Sequence, residues 1–229
     1  MSDSLQPTVC LPAPGLWARV FQGESNALPQ VAARHWYPVY VWLRVAGNTS
    51  ADVAVMTVNF FTRLQTTEAP QQDDPGTVRL REFLLSRLKD FAANGFPNAP
   101  TLLPMSMDVA WAERAFAEEP TRGEDEVFSR RWALMILQAT LDAIQGEYMA
   151  QGKPTLFVSM KPFLGFSPPD ESGYASAARE AGLSASAFHV NVYQFRKRYR
   201  EVLRACVADT VRSLEDVDSE LTALLVSAS

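Results

Sequence analysis

A short run of cations near the C-terminus has the residue types and spacing for binding phosphate. Between residues 196 and 204 only Glu201 opposes Arg196, Lys197, Arg198, Arg200 and Arg204. Guanidinium groups pair with phosphate oxygens through two parallel hydrogen bonds, and lysine adds a point charge. The run therefore indicates a surface for the backbone of a nucleic acid. Side chains that face the bases would be needed for any sequence preference.

A helix-turn-helix pattern over residues 174–204 would position these cations. Ala178 lies four residues before Gly182, so a small side chain lets two helices cross closely and the glycine permits a positive φ in the turn. Leu183 would fill the corner, and Ser184 would cap the second helix. Apolar residues at helical spacing would form its inner face: Phe188, Val192, Phe195 and Tyr199. The residues predicted to bind DNA are Ser184, Ser186, His189, Gln194, Arg196, Lys197, Arg198 and Arg200. An ordinary pair of antiparallel helices with a solvated cationic end remains the alternative.

The charge of the chain is unevenly distributed. The formal net charge is −5, which argues against a protein that coats nucleic acid without specificity. Between residues 108 and 126, only Arg114 and Arg122 oppose Asp108, Glu113, Glu118, Glu119, Glu124, Asp125 and Glu126. We therefore expect this acidic segment to fold back on the basic helix and to inhibit DNA binding in the free protein.

Helical periodicity organises the rest of the chain. Apolar residues at helical spacing precede the break at Gly47, Ser50 is a candidate N-cap for the next helix, and a third amphipathic stretch begins at Leu80. Strand-like alternation is absent. The predicted fold class is all-α, with a disordered arm (1–15) and two small helical domains (16–95 and 124–229). An acidic, Pro-rich linker (96–123) joins the two domains, and the second contains the helix-turn-helix.

Other chemistry finds little support. Two cysteines, Cys10 and Cys206, are too few for a disulfide framework, and Cys206 is expected to be a small core residue. His35 and His189 lack neighbours at metal-ligand spacing. No Gly-rich phosphate loop or nucleophile–base pattern is present. The protein is therefore expected not to be an enzyme and to use no metal or cofactor.

Aromatic residues in the first domain have two interpretations, since Trp36, Tyr37, Tyr40 and Trp42 could stack on nucleobases or build a core. Their helical spacing favours the core.

No apolar run is long enough to span a membrane, and residues 1–14 do not resemble a signal peptide. A cytoplasmic protein without a membrane partner is expected.

The order of segments resembles bacterial sigma factors of the extracytoplasmic-function (ECF) type. The residues that carry the resemblance are RHWYPVY (34–40), SAD (50–52), NFFTRL (59–64), RLREFLL (79–85), FSRRWAL (128–134), GK (152–153), KPFL (161–164) and the stretch from 174 to 204. The resemblance in the order of segments extends over most of the chain from about residue 20 onwards.

The resemblance implies a function in transcription initiation. It implies that a region-two-like first domain binds core RNA polymerase, with Asp52, Val55, Asn59 and Arg63 as the polymerase-binding residues. A region-four-like second domain with a C-terminal extension would read an upstream promoter element. The implied partners are core RNA polymerase, promoter DNA and a regulatory protein such as an anti-sigma factor.

The chain departs from the family pattern in three places. Val55, Val58 and Asn59 stand where acidic residues and Gln are usual, and the segment 92–100 lacks the usual cations. In the second helix of the helix-turn-helix, His189 and Gln194 stand where Arg is usual. An alternative function is therefore that of a degenerate sigma-like regulator, which binds polymerase, a partner protein or DNA without melting a promoter.

Overall fold

The computed structural model describes residues 15–66, 70–71, 78–99, 105–119, 122–165 and 170–228. Ten α-helices lie within these residues: α1 (Leu16–Phe21), α2 (Ala27–Val45), α3 (Ser50–Thr66), α4 (Leu80–Ala93), α5 (Val109–Ala117), α6 (Glu124–Ala150), α7 (Pro154–Met160), α8 (Glu171–Glu180), α9 (Ala185–Ala208) and α10 (Val217–Ala228). Two short 3₁₀ helices follow α7 and precede α10, at Lys161–Leu164 and Leu214–Asp216. The predicted all-α class is confirmed. The disordered arm, apart from Gly15, lies outside the described residues.

The predicted helix boundaries hold with one local difference, at the start of α3. Gly47 has a φ of 91° and follows the end of α2, as its place in the sequence predicted. Ser50 is the first residue of α3, and Thr49 is the residue that caps it. The Thr49 hydroxyl accepts a hydrogen bond from the Asp52 amide at 3.3 Å and donates to the Asp52 carboxylate at 2.6 Å. Thr49 is the better cap because its hydroxyl bonds both the amide and the carboxylate of Asp52, three residues further along the chain.

A large hydrophobic cluster is built around the packing of α2 against α6. Trp17, Tyr40, Phe83 and Trp132 are fully buried in it, one each from α1, α2, α4 and α6. The second half of α9 and the C-terminal helix α10 also join this cluster, through Leu203, Val207, Val217 and Leu224. The packing therefore groups the segments differently from the predicted division into 16–95 and 124–229.

A second, smaller cluster lies at the other end of α6. Its buried members come from α6 to α9: Ile144, Phe157, Met160, Phe163, Ala177, Ala178, Phe188, Val192 and Phe195. The first half of α6 belongs to the large cluster and its second half to the small one, whereas α9 runs the opposite way. The two longest helices are thus antiparallel and connect both clusters. They hold the small cluster, which includes α8 and the start of α9, against the large one.

The C-terminal extension is docked by a buried carboxylate. Glu220 on α10 is only 1% exposed and accepts a hydrogen bond from the Arg81 Nε at 3.2 Å. The Arg79 Nε lies 3.5 Å from the same carboxylate. An isolated antiparallel bridge between Arg79 and Val211 adds backbone hydrogen bonds beside it. The C-terminal extension thus packs against the large cluster through one face of α10.

Within the described residues, no helix is both long enough and apolar enough to span a membrane.

Candidate nucleic-acid interface

The turn between α8 and α9 has the contacts that the residue types predicted. Gly182 adopts a φ of 67°, and the Leu183 amide donates to the Ala178 carbonyl at 2.9 Å. Ala178 is buried in the crossing of the two helices. The Ser184 side chain accepts a hydrogen bond from the Ala187 amide at 3.2 Å and so caps α9. The turn therefore gives α9 a defined direction.

The inner face of α9 holds the helix firmly in the small cluster. Phe188 and Phe195 are fully buried. The Phe188 ring meets Phe163 edge-on at 5.4 Å between ring centroids, and the Phe195 ring meets Phe157 at 5.9 Å. Such edge-to-face pairs stabilise one packing geometry. The outer face of α9 is thus presented on a rigid element.

The outer face of α9 carries one continuous stripe of exposed residues, which we call the outer stripe. It consists of Ser186, Val190, Tyr193, Lys197, Arg200 and Arg204. The residues follow one another at intervals of four and three, so they lie on one side of the helix, opposite the buried aromatic residues. With a rise of about 1.5 Å per residue, the stripe is about 27 Å long.

Six of the predicted DNA-binding residues are exposed along α9; five lie on the outer stripe or beside it, and the sixth, Arg198, pairs with Glu147. Ser186, Lys197 and Arg200 belong to the stripe, and Gln194 and His189 flank it. The His189 ring stacks on the ring of Tyr174 from α8, with 4.1 Å between centroids and 11° between planes. The stack places the imidazole at the edge of the α8–α9 corner.

The remaining predicted residues make contacts within the protein. The Ser184 hydroxyl is engaged by the cap, and the Arg196 Nε donates to the Phe163 carbonyl at 2.9 Å. Arg198 donates to the Glu147 carboxylate on α6 from Nε at 3.0 Å and from Nη2 at 2.6 Å. These groups position or shield the helix, which distinguishes them from the freely exposed Lys197 and Arg200.

Two residues of the outer stripe were missed by the sequence analysis. Val190 is 58% exposed and Tyr193 is 62% exposed, although both are large and hydrophobic. The signal that could have found them is their spacing, because they share the heptad positions of Ser186 and Lys197. The search for cations alone passed over them.

The predicted polymerase-binding residues of α3 do not share one surface. Asp52 and Val55 are exposed, and Arg63 is half-buried. Asn59 is only 2% exposed: its Nδ2 donates to the Asn98 Oδ1 at 2.9 Å, and its Oδ1 accepts from the Ala99 amide at 3.1 Å. The expectation that Asn59 contacts a partner is therefore corrected, because its amide is used to hold the chain after α4.

The acidic segment does not fold back on α9. Glu113 pairs with Arg44 at 2.8 Å, and Glu119 pairs with Arg130 at 3.1 Å. The Asp125 carboxylate contacts Lys89. Every acidic side chain of this segment for which the structure shows an ion pair therefore contacts α2, α4, α6 or its own segment. The predicted inhibitory contact is wrong, because arginines and lysines of the large cluster lie closer to these acids.

Most of the aromatic residues of α2 build the core, as the spacing indicated. Tyr37, Tyr40 and Trp42 are buried, while Trp36 is half-buried. Trp36 and Trp111 line a groove of about 510 Å³ between α2, α5 and α6. The groove lies away from the outer stripe and shares none of its residues.

The cations and apolar residues of the outer stripe form the clearest candidate site. Over the described ranges, no three His, Cys, Asp or Glu side chains are grouped as a metal ion would require. Cys206 is half-buried against the large cluster.

No protein-family model, curated protein or solved structure matches the chain.

Proposed function

We propose that the protein binds double-stranded DNA through the outer stripe of α9 and acts in transcription initiation together with core RNA polymerase. The observation that carries the proposal is the outer stripe itself, a line of exposed polar, apolar and cationic side chains on a rigidly held helix. The proposed partners are promoter DNA and core RNA polymerase.

The dimensions and charge of α9 fit a DNA major groove. An α-helix with its side chains is about 10–12 Å across, and the major groove is about 12 Å wide. Lys197 and Arg200 are exposed and have no ion-pair partner among the described residues. Both can therefore neutralise phosphates without first breaking a contact within the protein.

The polymerase part of the proposal rests on the resemblance and on α3. Asp52 and Val55 are exposed near the start of that helix, where the sigma-factor pattern has its polymerase contacts. A protein surface of this kind combines an apolar side chain with a charge at its rim. Asn59 is excluded from the surface, so the proposed contact centres on Asp52 and Val55.

A fluorescence anisotropy titration tests DNA binding. Labelled duplexes of random sequence and of upstream promoter DNA from the source organism are titrated with the full-length protein at several salt concentrations. We expect Lys197→Ala and Arg200→Ala each to weaken binding about threefold to tenfold and to reduce the salt slope by about 1. Arg114→Ala is the control, because Arg114 is an exposed cation on α5. Unchanged binding by both stripe variants would refute the proposed interface.

Co-purification with core RNA polymerase tests the other half of the function. Val55→Arg should abolish co-purification if α3 is the contact, whereas Val226→Arg on α10 should not, although Val226 is also exposed. A wild-type protein that does not co-purify with core RNA polymerase would leave only a free-standing DNA-binding regulator.

A second candidate function is a sigma-like regulator that binds without melting DNA. The observation that favours it is the packing of the segment after α4. Phe96 packs on Phe91 at 5.6 Å between ring centroids, and Asn98 is held by Asn59. The described part of this segment offers no cation to a single strand. Permanganate reactivity of promoter thymines in the polymerase complex would show melting and reject this candidate.

A further inference from the structure

We infer that Val190 and Tyr193 contact thymine methyl groups, so that the preferred DNA of this protein places A·T pairs under the first half of α9. The inference rests on the proposed function and specifies the DNA sequence class that the same surface selects. It concerns two residues that supply no charge and therefore no general affinity for phosphate.

The exposure of Val190 and Tyr193 is not explained by the core. Phe188, Val192 and Phe195 already fill the inner side of α9. Val190 and Tyr193 are the large hydrophobic residues of α9 that are exposed over more than half of their surface. Adjacent apolar residues that face water on a rigid helix mark a surface for binding an apolar group.

The position of the pair along α9 separates it from the phosphate-binding cations. Val190 precedes Lys197 by seven residues, about 10 Å along the helix axis. When a helix enters the major groove, residues of its first half face the base edges and the flanking residues face the backbone. Val190 and Tyr193 then face the bases, while Lys197 and Arg200 face phosphates.

The chemistry of the base edges selects thymine. In the major groove, guanine presents N7 and O6, adenine presents N7 and an amino group, and cytosine presents an amino group, whereas thymine presents O4 and a methyl group. The valine methyl groups and the tyrosine ring have no hydrogen bond to exchange with a guanine or cytosine edge at the point of contact. Burying those polar edges without a hydrogen bond would cost free energy, whereas burying a methyl group is favourable.

Gln194 adds a consistent polar contact beside the pair. Its side chain is exposed next to Tyr193. It also lines a second groove, between α6 and α9, together with Glu147. A glutamine amide can donate to N7 and accept from the N6 amino group of adenine. A thymine under Tyr193 and an adenine under Gln194 both belong to A·T pairs, so the two contacts favour the same class of DNA sequence. No Arg or Lys side chain stands at positions 186, 190 or 193 to favour guanine.

The test removes the methyl group from the DNA. Duplexes bound by the full-length protein are enriched from a pool with a random 12-base-pair centre, and each thymine of the selected sequence is then replaced by deoxyuridine. We expect at least one replacement to weaken wild-type binding about threefold to fivefold, as burial of one methyl group implies. Val190→Ala and Tyr193→Ser should each lose the penalty at the thymine that the replaced side chain contacts.

Two controls make the result decisive. Val158→Ala removes a similarly exposed valine from α7 and should keep the deoxyuridine penalty. Circular dichroism verifies that each variant is folded. Wild-type binding without any deoxyuridine penalty, or a penalty that persists in both variants, overturns the inference but leaves DNA binding intact. If the apolar pair instead served a protein contact, the variants would bind every duplex as the wild type does. Absence of DNA binding by the wild type overturns the proposed function and this inference together.

Discussion

Arg198 on α9 donates two hydrogen bonds to the carboxylate of Glu147 on α6, from Nε at 3.0 Å and from Nη2 at 2.6 Å. The pair joins the two antiparallel helices and places a negative charge beside the cationic half of α9. The hydrogen bonds from Arg198 lower the pKa of Glu147, so the carboxylate stays charged at neutral pH. Glu147 thus offsets part of the positive charge that would otherwise attract DNA.

Neutralising Glu147 should strengthen DNA binding. Glu147→Gln removes the negative charge and leaves Arg198 paired with Glu201 alone, so we expect about threefold tighter binding and a salt slope steeper by up to 1. The free energy of unfolding should fall by less than about 1 kcal/mol, since the pair is partly exposed. Anisotropy titrations at several salt concentrations measure both effects. Glu215→Gln, an exposed carboxylate on the 3₁₀ helix before α10, is the control. Equal or weaker binding by Glu147→Gln would contradict this account of α9.

His35 should make the protein less stable at acidic pH. Burial, with a smaller contribution from the charge of Arg34, lowers the pKa of His35 from an ordinary 6.5 to about 3. The neutral ring stacks on Trp132 at 4.6 Å, and its Nδ1 has no hydrogen-bond partner among the described residues. The unfolded chain therefore takes up a proton below pH 6.5 that the folded chain does not, and stability falls as pH decreases from 6.5 towards 3.

The size of this effect can be measured against a variant without the titrating group. Between pH 7.5 and 4.5, we expect the wild type to lose about 2.7 kcal/mol more unfolding free energy than His35→Phe, at about 1.4 kcal/mol per pH unit below the unfolded pKa. Urea unfolding at each pH gives the values. His189→Phe is the matched control, because the other histidine of the chain is exposed. Parallel pH profiles for wild type and His35→Phe would show that His35 does not carry the effect.

Glu220 should be a major source of stability for the C-terminal helix. Its carboxylate is buried between Arg79 and Arg81, so Glu220→Gln leaves the two guanidinium groups with only the more exposed Glu82 as a counter-charge. We expect a loss of about 2–3 kcal/mol in the free energy of unfolding. Asp218→Asn on the same helix breaks only the exposed pair with Arg204 and should cost less than about 1 kcal/mol. Thermal or urea unfolding distinguishes the two variants, and similar losses for both would contradict the role of the buried carboxylate.

Asn59 should act in folding and not in polymerase binding. Asn59→Ala leaves the Ala99 amide without its acceptor and removes the bond to Asn98, so we expect a loss of about 1–3 kcal/mol in urea unfolding. Asn98→Ala removes only one of these bonds at an exposed residue and should cost less. Co-purification with core RNA polymerase should be unchanged in folded Asn59→Ala. A specific loss of co-purification without loss of stability would restore Asn59 as a contact residue.

The sequence by itself determined the local elements of this protein. Helical periodicity predicted the all-α class, and the chemistry of Ala178, Gly182 and Ser184 predicted the turn between α8 and α9. Such features depend on residues close together in the chain: a glycine that tolerates positive φ, a side chain that caps the next turn, an apolar face repeated every three to four residues. The cations of α9 were found for the same reason.

Only the tertiary structure decided which surfaces remain available. It buried Asn59, paired Glu119 with Arg130, and left Val190 and Tyr193 exposed. It also brought α10 into the large cluster through Leu224 and paired Glu220 with Arg81. The reason is that burial and ion pairing depend on residues distant in the chain, such as Arg81 with Glu220. Periodicity identifies the faces of a helix, and long-range packing decides which face meets the core, a counter-charge or the solvent.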